Sequence, residues 1–177
     1  MDDNKEVFDY YIEEEILDSL RSEFSVDILV ENLIEEPESN YAGNWGTNLI
    51  KKTIELSKNP QDRTGQIIEE VSKKTGHLFP HLPQRYLEIA YLVIRPKDKW
   101  GITSSTLYNF NHTIINCDIY NKLVKTNENI AKKLICKNLC LNLISTLYKE
   151  LGLKIELSLT KSMPEDKKCT FEVSYKG

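Results

Sequence analysis

A chain of 177 residues with 40% apolar side chains has material for one core of ordinary size and not comfortably two, so a single domain over 1–177 is expected. Its 23 basic and 27 acidic side chains give a net charge of −4, which excludes a generic polyanion binder and with it nucleic acid as the expected partner. The modest glycine and proline content and 28% charged residues exclude a disordered, collagen-like or repetitive chain.

The opening run Met1 to Glu6 has neither a basic nor an apolar leader segment. No later apolar run approaches the roughly 20 residues that span a bilayer, so a cytoplasmic chain with no membrane partner is expected. In that reducing setting the four cysteines are expected as free thiols or ligands rather than as a disulfide framework. Residues 1–40 hold 14 acidic and 2 basic side chains, leaving a basic remainder. Two accounts of this asymmetry stay open: the solvated face of a helix, or an acidic head lying on a basic body.

Phe8, Ile12, Ile16, Leu20 and Phe24 recur every fourth position and predict one side of a helix. Val26 to Ile34 continues or follows it until Pro37 breaks the pattern. Residues 43–58, with Trp45, Leu49, Ile50 and Ile54, and 62–75, with Ile67, Ile68 and Val71, predict two more helices, the second closed by Gly76. Residues 1–76 are therefore mainly helical. Pro80 and Pro83 make 77–83 an irregular connector. The β-branched and aromatic content of Tyr86 to Ile94 favours a strand over a buried helix. Thr106 to Cys117 alternates as a strand, with Tyr108, Phe110, His112 and Ile114 on one face and Cys117 on the other.

Asn127 to Leu151 predicts one long helix, apolar nearly all round and stopped by Gly152. Leu153, Ile155, Leu157 and Leu159, then Cys169, Phe171, Val173 and Tyr175, alternate as the two strands of an antiparallel hairpin. The expected class is α+β: N-terminal helices and one long helix packed on a small antiparallel sheet of residues 86–95, 106–117, 153–160 and 168–175, with 77–177 holding the sheet and the long helix.

Common phosphate-loop, nucleophile-elbow and zinc-protease signatures are absent, which leaves the cysteines as the chemical signal. Cys136 and Cys140 share a helical face, and Cys169 faces inward on the last strand; core packing is the default reading of all three. Cys117 ends a strand before Asp118, a position from which functional side chains are often presented. A helical pair plus two distant strand cysteines matches no standard zinc spacing, so no metal is expected. A base for Cys117 would come from elsewhere in the chain, for instance the connector that carries His77 and His81.

The segments Asn109-Phe-Asn-His-Thr-Ile-Ile-Asn-Cys117, Leu134-Ile-Cys136-Lys-Asn-Leu-Cys140 and Leu159 to Phe171, ending Cys169-Thr-Phe171, resemble the L-2-amino-thiazoline-4-carboxylic acid hydrolase-like family and the related 4-vinyl reductase type domains. Cys117, Cys136 and the Cys169-x-Phe171 pair match the family positions; Asn138 and Met163-Pro-Glu-Asp166 depart from its acidic residues. The resemblance implies a small-molecule hydrolase that hydrates a C=N bond and opens a heterocycle. Cys117 would be its nucleophile or a substrate-contacting thiol, Asp118 or His81 its proton carrier, and Cys136, Cys169 and Tyr108 its ligand contacts. The alternative is a non-catalytic module that binds a small ligand. No cofactor is implied, the expected partner is a small molecule, and a homodimer is an allowed assembly.

Overall fold

The computed structural model describes residues 12–56, 63–77, 79, 81–93 and 95–176. Two short helices, α1 (Glu14–Glu23) and α2 (Val26–Glu35), are separated at Phe24 and Ser25. They bury Leu17, Leu20, Phe24, Leu29, Val30 and Leu33, while Ile16 is exposed. The first turn of the anticipated helix, with Phe8, lies outside the described residues. Helix α3 (Tyr41–Leu56) buries Trp45, Leu49, Ile50 and Ile54, the stripe its sequence announces. Helix α4 (Arg63–Thr75) ends at Gly76, but leaves Ile67 and Val71 exposed.

The segment expected to be a connector followed by a strand is instead helix α5 (His81–Glu88), continued by a π turn, Ile89–Val93. Pro83 sits in the first turn of α5, where no backbone donor is required. Leu82, Tyr86, Leu87, Ala90 and Tyr91 are buried, a helical spacing that overrides the strand-like composition.

Four antiparallel strands follow in the spatial order β1 (Lys99–Ser105), β2 (Phe110–Asn116), β4 (Cys169–Tyr175), β3 (Ile155–Lys161). The first strand is thus 99–105 rather than 86–95, and 106–109 forms the turn into β2. The hairpin of β3 and β4 pairs Leu157 with Val173 and Leu159 with Phe171. Phe171 and Val173 are fully buried, and Ile155 and Leu157 half-buried, on the inner face that the alternation identifies. The architecture is α+β.

Between β2 and β3, α6 (Asp118–Thr126) comes first, and the single helix expected over Asn127 to Leu151 is divided into α7 (Glu128–Lys132) and α8 (Lys137–Glu150). Asn127 caps α7, its Oδ1 accepting from the Ile130 N–H at 3.2 Å. Residues 133–136 then turn, with Leu134 at φ 50°, a left-handed backbone that is costly for a side chain of that bulk. Gly152 at φ 72° ends α8 at no such cost. The last short helix is α9 (Met163–Asp166).

Helices α3 and α8 form the main helical layer behind the sheet. A Cβ at Gly46 would lie 2.2 Å from the Leu139 carbonyl oxygen, so the two backbones meet closely there. Gly46→Ala is therefore expected to destabilise by about 3 kcal/mol, the upper end for overpacking, because backbone rather than a flexible side chain must yield. Urea unfolding checks this; a loss under about 0.5 kcal/mol would mean that α3 and α8 separate freely. Among the described residues the acidic head meets the body through the apolar residues of α2 and through an ion pair, Asp27 to Lys122 on α6 at 2.5 Å. Among the described residues no helix is long and apolar enough to cross a membrane.

Candidate functional site

Where β2 leaves the sheet, the chain turns inward. Asn116 is the last strand residue and Cys117 is the N-cap of α6. Strict alternation would put Cys117 on the face opposite Ile114; with the strand ended, both instead line one internal cavity. This corrects the expected facing of Cys117. The Leu134–Cys136 turn brings in Cys136, α8 adds Cys140, α9 adds Met163, and β4 adds Cys169 and Phe171. All four cysteines of the chain therefore share one cavity of about 20 Å³. Such a volume accommodates one water-sized body, and its lining is almost wholly carbon and sulfur. Of the lining residues, Lys137 is exposed and Tyr120 and Cys169 are half-buried.

Behind two of the thiols stands a charged pair. Arg95 and Asp98, both with fully buried side chains, form an ion pair. Arg95 Nη2 also donates to Cys117 Sγ at 3.3 Å. Asp98 Oδ1 accepts from the Asp118 N–H at 2.8 Å and so anchors the first turn of α6 to the segment after the π turn. The Arg95 guanidinium lies 5.3 Å from the centre of the Tyr91 ring, close enough for a cation–π contact. Tyr91 in turn faces Cys140.

Burial pushes the Cys117 thiol up to about 12, although Arg95 opposes the shift. It also pushes Cys140 and Cys169 up to about 11 and Cys136 well above its ordinary value. At neutral pH the cavity is therefore lined by neutral thiols. Burial works against the charge on Arg95 as well, but the Asp98 carboxylate beside it holds the guanidinium charged. Among the described residues no group of three or more His, Cys, Asp or Glu side chains is arranged to hold a metal ion.

His112 completes the interior. Its ring is fully buried, stacks on Phe171 at 5.3 Å and contacts Tyr91, Trp100 and Phe110 at 5.7–6.0 Å. Burial pushes its pKa down to about 3, so it is neutral. The imidazole belongs to an aromatic cluster rather than to a pairing with a thiol.

The other residues singled out from the sequence lie elsewhere. Asp118, adjoining Cys117 in the chain, turns to a separate surface groove, where its carboxylate is 3.7 Å from Lys122 Nζ. Tyr108 is in the turn between β1 and β2 and 68% exposed, and it is not among the residues lining the cavity. His81 opens α5, and its side chain lies outside the described residues. Cys117, Cys136 and Cys169 do come together, joined by Cys140, which the sequence reading left as core. Tyr91, Arg95 and Asp98 were not singled out. Their signal was an arginine and an aspartate three residues apart, directly after an apolar run, a spacing that lets a buried pair form on a tight turn.

No family model matches the chain, and no curated protein does. Among solved structures, the Fe(II) unliganded H-NOX protein from K. algicida is similar with a TM-score of 0.44 at 10% identity, covering 84% of this chain and 70% of that one. A mutant of the same protein gives 0.48 at 11% identity over the same shares. A trafficking protein particle complex subunit 3 from Naegleria fowleri, covalently bound to palmitic acid, gives 0.46 at 16% identity, covering 93% of this chain and 98% of that one.

Proposed function

We propose that the chain is a binding module for a small apolar molecule, taken up in the thiol-lined cavity between the sheet and α8. The observation that carries this reading is the convergence of four neutral thiols with Ile114, Leu134, Met163 and Phe171 on one internal space. Ligand sites are typically concave and largely apolar, with a few polar groups nearby to fix orientation. A ligand larger than water enters by displacing the Leu134–Cys136 turn, whose left-handed Leu134 already holds about 1–3 kcal/mol of backbone strain in the closed state.

A second reading, the hydrolase implied by the resemblance, is favoured by one observation: the Arg95 guanidinium and the N-terminus of α6 both adjoin Cys117 Sγ, and both stabilise a thiolate. Against it, burial keeps this thiol protonated near neutrality. Among the described residues no carboxylate or imidazole accepts a hydrogen bond from it, as a nucleophile's base would.

Two measurements on the native protein test the proposal. Methylenecyclopentane is expected to raise the melting temperature in a concentration-dependent way, because it binds the folded state alone. It is also expected to slow iodoacetamide labelling of Cys117, already slow at pH 7.5. Labelling of Cys117 faster than that of a free cysteine peptide, with no stabilisation by the hydrocarbon, would reject the binding module and favour the enzyme.

A further inference from the structure

The buried polar groups behind the cavity are unevenly matched. Arg95 Nη2 is ion-paired with Asp98 and donates to Cys117 Sγ, while Nε and Nη1, equally buried, have no hydrogen-bond partner. Three guanidinium N–H bonds are thus left over. Trp100 Nε1, on the ring that packs against Tyr91 at 5.9 Å, is a further buried donor without a partner. Against these donors the unpartnered acceptors among the described residues are few: Asp98 Oδ2, held only through its ion pair with Arg95, and whichever His112 nitrogen carries no proton. Donors outnumber acceptors in this interior, and buried donors without acceptors are costly.

The charge points to the kind of acceptor. Arg95 and Asp98 together carry no net charge, so an anionic ligand would leave the interior with an uncompensated negative charge, which a low-dielectric core penalises heavily. A neutral oxygen accepts from a guanidinium N–H without that penalty. The guanidinium is one contact behind Cys117, which lines the cavity, so an oxygen on the inner end of a bound molecule reaches Arg95 Nη2 when that thiol turns aside.

We propose that the ligand of this site is an uncharged, compact, apolar molecule bearing a carbonyl oxygen, such as a ketone, amide or lactam, and that Arg95 donates to that oxygen. The proposal rests on the binding-module reading and adds the chemical class of the ligand. Arg95 is then the residue that sets specificity, while the thiols and Phe171 supply the apolar wall.

The test compares three probes of one shape by calorimetric titration: cyclopentanone, methylenecyclopentane and cyclopentanecarboxylate. A hydrogen bond from a charged donor is worth about tenfold or more in affinity, so the ketone is expected to bind about tenfold or more tighter than the hydrocarbon. In Arg95→Met/Asp98→Asn, which removes the pair together and leaves an acceptor for the Asp118 N–H, the preference is expected to fall within about twofold, with hydrocarbon binding retained. The carbonyl stretch of bound cyclopentanone is expected at lower wavenumber than in an apolar solvent, a readout on the native protein that does not depend on the double variant folding. Equal affinities for ketone and hydrocarbon, an unshifted carbonyl stretch, or tighter binding of the carboxylate would overturn the assignment of a neutral acceptor while leaving the binding module intact. Failure of all three probes to bind would overturn both.

Discussion

Asp98→Ala is expected to destabilise the protein by about 3–5 kcal/mol, the cost of leaving a buried charge without its partner. The side chains of Arg95 and Asp98 are both fully shielded from solvent, so the guanidinium cannot recover hydration when the carboxylate is removed. The Asp118 N–H loses its acceptor as well, which loosens the start of α6. Arg95→Met/Asp98→Asn is expected to lose markedly less than the single variant, since removing both charges restores neutrality. Urea unfolding of the three proteins measures the difference. A loss below about 1 kcal/mol for Asp98→Ala would mean that water reaches the pair.

Phe171→Ala is expected to cost about 3–5 kcal/mol, from lost burial and from the space left behind. The ring is 1% exposed, stacks on His112 and forms part of the wall of the thiol cavity. Its removal merges that cavity with the aromatic cluster. The same denaturation experiment reads the loss; a value under about 1 kcal/mol would show that the inner face of the hairpin can collapse around the gap.

The hairpin was legible in the sequence because a period of two is a direct report of which side of a strand is buried. Helix α3 was legible for the corresponding reason at its own period. The segment around Tyr86 was not: its apolar residues are dense enough to fit either period, and composition outweighed spacing in the reading although spacing governed the fold. The division of the long helix at 133–136 had no local signal, since neither glycine nor proline is present there, and tertiary packing imposes the left-handed backbone of Leu134. The candidate site was half visible. Three of the four cavity cysteines were singled out, but the facing of Cys117 depended on where β2 ends, and alternation cannot report that. Arg95 and Asp98 escaped notice because charged residues near a turn are ordinarily solvated, and only the fold shows that this turn is interior.

The π turn at Ile89–Val93 stands between the register of α5 and the side chains that serve the cavity. Such a turn carries about one residue more than the α-helix it interrupts, and one residue on a helix is about 100° of rotation. Tyr91 lies within this slack, and Arg95 and Asp98 follow directly after it, so their common aim at the interior depends on the number of residues between Glu88 and Arg95. The stretch can exchange one apolar residue type for another at modest cost, but gain or loss of a single position would swing the guanidinium away from Cys117. In this part of the chain, length is a stricter inheritance than composition.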